Sequence, residues 1–325
     1  MPTRRHAPRL TRAAVLCLPA ILITACGGSS VPGSSLPTPG AQANIISEIP
    51  SAVKAMEPFQ IASDASYAPN EYVNATTGNL VGWDLELAQD VCAVLGQTCT
   101  ITNVTFDDII PALTEAHPKY VMSFSSYTPN ATREQVGIDF ITYYQAGESW
   151  LVKKGSPMIT QASQMCGHSV AVESGTVEEQ DAWGYMGKKP GGDTISGDPD
   201  NCTAAGLQDI DVESFAEQTE ANTALLSGRA DFGWADQPVA DYQVEQNPTK
   251  LEISGQPCSV YPYGIAVKKS LGFDKALEDA VTYVIQHGFY TPILKAYGVE
   301  DGAIPASGVN VNDNNAAGAT CVPAY

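Results

Sequence analysis

Residues 225–242 read LLSGRADFGWADQPVADY. Leu225 and Leu226 close a helix, Gly228 makes a turn, and Ala230 to Ala235 form a short buried strand. Asp236 stands where that strand runs out, and Pro238 opens the next helix. Open α/β sheets bind ligands in the crevice beyond the C-terminal ends of their strands, so Asp236 is the first candidate ligand contact. A carboxylate there also suits a helix N-cap, and the two roles can coexist.

About a hundred residues upstream, IIPALTEAHPKYVMSFSS (109–126) repeats the arrangement. A helix (Ile109, Ile110, Leu113) leads through His117 and Pro118 to a strand from Tyr120 to Phe124, with Ser125 and Ser126 as its polar exit. Two such units predict two lobes facing one cleft.

The chain has 325 residues, enough for two ordinary domains, and 44% hydrophobic with 16% charged residues is a globular composition. Its first 25 residues hold Arg4, Arg5, Arg9 and Arg12 and no acid, so losing them takes the net charge from −19 to −23. A surface so acidic repels nucleic acid and anionic lipid.

The opening residues are basic, and an apolar run from Ala13 to Ile23 follows, too short for a stable membrane span and suited to a secretory signal. The ITAC at 23–26 resembles a bacterial lipobox, which implies cleavage before Cys26 and lipid on that residue. Residues 1–25 are then a lipoprotein signal peptide. Residues 26–44, rich in Gly, Ser and Pro, are a flexible tether, so the protein is expected outside the cytoplasm, held on the cell membrane.

Setting aside Cys17 and Cys26 leaves Cys92, Cys99, Cys166, Cys202, Cys258 and Cys321. An even count in an exported chain favours disulfides, and the absence of any CxxC or Cys/His cluster argues against a metal or cofactor. Six cysteines allow fifteen pairings. Proximity in sequence favours Cys92 with Cys99, Cys166 with Cys202, and Cys258 with Cys321.

Along the chain, FQIASDASY (59–67) is a first strand, and Asn74 to Asn79 a hairpin-like turn. Asp84 begins a helix with Leu87, Val91 and Val94 or Leu95 on its apolar face, ending at Gly96. A second strand in TCTITNVTF precedes the helix of Phe106, Ile109, Ile110 and Leu113, where Pro111 is expected in the first turns. Ala276, Leu277, Ala280, Val281, Val284 and Ile285 mark one helical face near the end. Residues 301–325 show no period and form a tail, pinned if Cys321 is paired.

The collinear segments SDASYAPNEYV, GNLVGWDLELAQDV, FDDIIPAL, SYTPNATRE, IDFITYYQAG, VAVESGT, LLSGRADFGWADQPVADY and YGIAVKK are similar to the bacterial extracellular solute-binding proteins of family 3 over about 58–300. Those are type-II periplasmic binding proteins that deliver polar amino acids, and some opines or small amines, to ABC importers. The resemblance implies an α/β fold, periplasmic-binding-protein-like type II, with two α/β lobes joined by two crossover strands and closing on ligand by hinge motion. Lobe 1 would be 45–144 with 265–300 and lobe 2 would be 149–258, with YYQAGES (143–149) and Cys258 to Gly264 as the crossings.

An amino acid offers a carboxylate and an ammonium, which call for a fork of donors and a carboxylate. The resemblance assigns the first task to Arg133, although the run from Thr-Pro to this arginine is two residues longer than in the family. It assigns the second to Asp236. Ser123, Ser125 and Ser126 occupy the strand exit that meets the ligand carboxylate, without a choice among them. Thr176, with Gly175, opens a helix and either holds an anion or only caps it. Tyr67 is an aromatic wall or core, Asp64 meets a basic side chain in some members, and Asn70 replaces a usual aromatic. Trp234 is expected in the core, and His287 on the surface.

These features predict a monomeric, lipid-anchored receptor that closes on a polar amino acid or related small amine and docks on an ABC permease. No catalytic residue is expected. The alternatives are a dehydratase-like enzyme on the same fold, for which Glu173 is the spare carboxylate, and a ligand-sensing partner of a signalling protein.

Overall fold

The computed structural model describes residue 1 and residues 36–322. The signal-like start, Cys26, the first part of the tether and residues 323–325 of the tail lie outside the described residues. No helix among the described residues is long and apolar enough to cross a membrane.

The strands are β1 (Phe59–Ser63), β2 (Ser66–Tyr67), β3 (Glu71–Val73), β4 (Leu80–Val81), β5 (Cys99–Asn103), β6 (Met122–Tyr127), β7 (Ile138–Lys153), β8 (Ser169–Glu173), β9 (Asp211–Phe215), β10 (Phe232–Asp236) and β11 (Leu251–Lys268). Eight of them form one sheet in the order β5-β1-β6-β11-β7-β10-β8-β9, and β2-β3-β4 form a small second sheet. At one end β1 runs parallel to β5 and β6; at the other β8 runs parallel to β9 and β10. Parallel strands need helical crossovers that cover both faces, which is why β6 and β10 are buried along their whole length.

Between the ends lie two strands of unusual length. β7 has 16 residues and β11 has 18, and they pair antiparallel from Leu251 opposite Lys153 to Lys268 opposite Ile138. Sixteen residues of strand reach about 50 Å, enough to traverse a whole small domain, so both serve the two ends of the sheet. The β7–β11 register slips between Ser254 and Cys258, between Cys258 and Tyr261, and between Tyr263 and Gly264. The ladder is therefore irregular midway, where the chain leaves one half for the other.

Each half has its own core. Leu87, Val91 and Val94 of the helix Trp83–Val94 pack with Leu277, Val281 and Val284 of the helix Asp274–Gln286 on one face of the first half. Phe106, Ile109, Leu113, Tyr127 and Phe140 fill the opposite face. In the second half Trp150 and Trp234 meet with centroids 5.4 Å apart among Val170, Val172 and Phe232, so Trp234 is core. His287 is exposed.

Three details differ from the sequence reading. The first long helix starts at Trp83, with Gly82 before it, one residue ahead of Asp84. Pro111 falls in the interior of the helix Phe106–Thr114, where it forfeits one backbone bond; the helix ends three residues later, and the Thr114 hydroxyl donates to the Ile110 and Pro111 carbonyls. Residues 306–321 are more than a tail with one end ordered. Val311 bridges Ile141 of β7, Ala317 bridges Val260 of β11, and Asn310 and Asn312 hydrogen-bond the β7 backbone. Single bridges and side-chain contacts of this kind leave no periodicity to read.

Disulfides join Cys92 to Cys99, Cys166 to Cys202, and Cys258 to Cys321, successive pairs along the chain, as expected. The first ties the helix Trp83–Val94 to β5 and the third ties the tail to β11.

Candidate ligand-binding site

The strand ends of the two halves face each other, and the hollow between them is nearly closed, with a cavity volume of about 20 Å³. Asp64, Tyr67, Ser125, Ser126, Arg133, Thr176 and Asp236 all line it. Ser123 does not. It sits deeper in β6, its hydroxyl buried and without a hydrogen-bond partner among the described residues. Trp83 is fully buried, donating through Nε1 to Asn70 Oδ1 at 2.7 Å, and Asn70 Nδ2 donates to the Ser126 hydroxyl at 3.0 Å. Asn70 thus takes a place behind the wall of the hollow rather than in it.

Arg133 enters from the helix Ala131–Gln135, whose N-cap Asn130 accepts from the Arg133 N–H. This helix starts on Asn130, and the Arg133 side chain lines the hollow. Arg133 is 7% exposed, and its guanidinium spans the halves: Nη1 donates to the Thr128 carbonyl at 2.6 Å and Nη2 to the Gly175 carbonyl at 2.7 Å. It also lies 5.0 Å from the Tyr127 ring centroid, within cation–π range.

Asp236 ends β10 and precedes the helix Gln237–Gln246, but its side chain makes no capping bond. Its Oδ2 instead accepts from the Tyr67 hydroxyl at 3.0 Å. Burial pushes the Asp236 pKa up to about 6, against the pull of the Tyr263 and Tyr67 hydroxyls and of Arg133. Thr176 does cap: its hydroxyl accepts from the Glu179 N–H at 3.2 Å and donates to the Glu173 carbonyl at 2.7 Å. Asp64 accepts from the Ser66 and Phe106 N–H groups, and the Ser125 hydroxyl accepts from the Asp64 N–H.

Three lining carboxyls lay outside the contacts expected from sequence. Glu173, noted only as a spare acid, accepts from the Ser66 hydroxyl and the Gln218 N–H. Glu71, on the short strand β3, accepts from the Ser126 hydroxyl and sits beside Asp84. Glu178, in the first turn of the helix Val177–Gly184, is 2% exposed. Burial, first of all, raises the pKa of each well above the carboxylate range. Acids early in a helix usually just complement its dipole, so nothing in the sequence set Glu178 apart.

Among known proteins, the arginine-binding protein ArgT of Corynebacterium glutamicum is 24% identical over 312 residues, 93% of this chain and 97% of that one. The histidine-binding periplasmic protein of Escherichia coli is 28% identical over 247 residues, 74% of this chain and 86% of the relative. An ancestral arginine-binding protein, solved bound to arginine, superposes with a TM-score of 0.64 at 29% identity, over 74% of this chain and 99% of that one. The model of the bacterial extracellular solute-binding proteins, family 3, matches residues 59–300, and the chain belongs to that family.

Proposed function

We propose that the protein is the extracytoplasmic receptor of an ABC importer for a small organic cation, either a basic amino acid or a related amine. The observation that carries this reading is the lining of the hollow, where Asp64, Glu71, Glu173, Glu178 and Asp236 face a single cation, Arg133. Buried carboxylates need opposite charge or protons, and an organic cation supplies the former. Two of the relatives are described as binding arginine or histidine, which supports the reading, while another is described as binding glutamine.

In this reading residues 45–144 with 265–300 form lobe 1 and 149–258 form lobe 2, hinged where β7 and β11 lose register. Asp236 takes the ligand's ammonium, Asp64 faces its distal cation, and Arg133 with Tyr67 ties the lobes in the closed form. Arg133 is also the candidate partner for any ligand carboxylate. Closure then follows from ligand affinity that differs between open and closed states, and the closed form docks on the permease. Cys26 carries the lipid that keeps the receptor at the membrane.

A thermal-shift panel of amino acids and amines on the full-length chain in mild detergent tests the reading. A ligand at a hundred times its dissociation constant adds about 2.7 kcal/mol of stability. Basic members of the panel should raise the melting temperature, and Asp236→Ala should abolish the rise. A shift given by none of them, or one unchanged in Asp236→Ala, rejects the assignment. Chromatography of the ligand after incubation should return it unaltered, and turnover would favour an enzyme instead.

A further inference from the structure

Ser126 stands at the hollow near the end of β6, with a φ of 51° in the left-handed region that a residue with a side chain keeps only when its surroundings hold it there. Three contacts do so. The Ser126 N–H donates to Asp84 Oδ2 at 3.3 Å, its hydroxyl donates to Glu71 Oε2 at 3.2 Å, and the same hydroxyl accepts from Asn70 Nδ2 at 3.0 Å. Local sequence brings the three partners together. Gly82, before the helix Trp83–Val94, has a φ of 137° and lies so close to the Asn70 carbonyl that any Cβ would overlap it, and the Asp84 N–H donates to that carbonyl at 3.1 Å. The Glu71 and Asp84 carboxyls thereby meet with both residues fully buried.

Each acid spends one oxygen on Ser126. The other oxygens, Glu71 Oε1 and Asp84 Oδ1, are buried and meet no hydrogen-bond donor among the described residues, and no lysine, arginine or histidine forms an ion pair with either acid there. Two bare carboxylates in contact away from water repel strongly. One proton between the two free oxygens removes the repulsion and satisfies both atoms at once. Burial, then the Asp84 carboxyl, holds the Glu71 pKa well above the carboxylate range, with Asp64 adding to the rise; burial lifts Asp84 to about 7 against the pull of the Tyr143 hydroxyl.

We infer that Glu71 and Asp84 share one proton and together act as positioning residues, locking Ser126 at the strand exit so that this wall of the hollow is shaped before the ligand arrives. The effect on binding rests on the receptor reading, in which Ser126 meets the ligand; the shared proton does not. Glu71 is then matched by a proton, and the other acids of the hollow are left to the ligand and Arg133.

Glu71→Gln puts an amide N–H where the shared proton lies, and Glu71→Ala removes both oxygens. In isothermal titration of the full-length protein with arginine at neutral pH, Glu71→Gln should stay within about threefold of wild type, while Glu71→Ala should bind at least about tenfold more weakly. Native Glu71 keeps its proton at a pH where the unfolded chain has released it, so the wild-type melting temperature should fall more steeply than that of Glu71→Gln between about pH 5 and 9. The infrared difference between wild type and Glu71→Gln at neutral pH should show one protonated carboxyl band. A glutamine variant as weak as the alanine one, an alanine variant as tight as wild type, or a difference spectrum without that band overturns the inference. Should Glu71→Ala not fold, the band and the melting profile of Glu71→Gln decide it. Failure of arginine to bind would count against the small-cation reading, and the same two measurements would then decide the shared proton.

Discussion

The Tyr67 hydroxyl donates to Asp236 Oδ2 at 3.0 Å and accepts from the Asp236 N–H at 3.1 Å, so one phenol joins the end of β2 to the end of β10. Burial and the neighbouring Asp236 carboxyl hold the Tyr67 pKa well above the ordinary tyrosine range, and the hydroxyl keeps its proton to donate. The two residues both line the hollow and link its two sides.

Tyr67→Phe removes this link without changing the ring. A hydrogen bond to a charged group contributes about 1.5–3 kcal/mol, so ligand affinity should fall about tenfold or more. The ligand-free melting temperature should move little if the bond belongs to the closed form. Calorimetric titration and melting of the same variant separate the two effects, and unchanged affinity would show that the bond is not part of closure.

Acid should weaken binding. With Asp236 titrating at about 6, the carboxylate proposed to meet the ammonium is lost as pH falls from 7 to 5, while a ligand amine with a pKa of about 10 stays charged. Arg133 is the charged neighbour of Asp236, and burial favours the protonated form of the nearby Glu178 and Glu148. Stability of the ligand-free protein follows the opposite sign. Native Asp236 holds its proton more tightly than the unfolded chain does, so this group favours the fold at low pH and that advantage is lost as pH rises from about 4 towards 6. Titrations at pH 5, 6, 7 and 8 check the first expectation, and a flat affinity profile would refute it.

Much of this architecture was legible because local signals coincided with tertiary demand. The Gly228 turn, the run Ala230 to Ala235 and Pro238 each mark one boundary of the β10 unit, and Asp236 was identifiable simply as the polar residue at the strand's end. Glu178 was not legible, since its carboxylate at the start of a helix is what the dipole alone would favour. Glu71 was hidden on a strand of three residues with no alternation to count. Ser123 was unresolved from Ser125 and Ser126 for another reason. All of β6 is buried, so burial could not show which serine reaches the strand end.

Gly175 should be intolerant of any side chain. Its φ of 80° lies in the left-handed region, and a Cβ there would overlap the Asp107 carboxylate of the facing half. Its carbonyl is also the second-half acceptor for Arg133. Gly175→Ala should therefore cost about 1 kcal/mol of stability from backbone strain and reduce affinity further by hindering closure. Scattering of the variant with and without ligand should show less compaction than wild type; equal compaction and affinity would place the two halves further apart at Gly175.

The tail should act as a third connection alongside β7 and β11. It touches β7 at Ile141 and Thr142 and β11 at Ser259 and Val260, then closes with the Cys258–Cys321 disulfide, which spans 63 residues of sequence. Chain-entropy arguments give a loop of this size about 4 kcal/mol of stabilisation when the bond is intact. Replacing both cysteines with serine should lower the melting temperature and free the tail for proteolysis between Asn310 and Thr320. Because the tail bridges both sides of the irregular β7–β11 ladder, its release should also speed opening. Stopped-flow ligand dissociation should then be faster in the double variant than in wild type, and an unchanged rate would confine the tail to a role in stability.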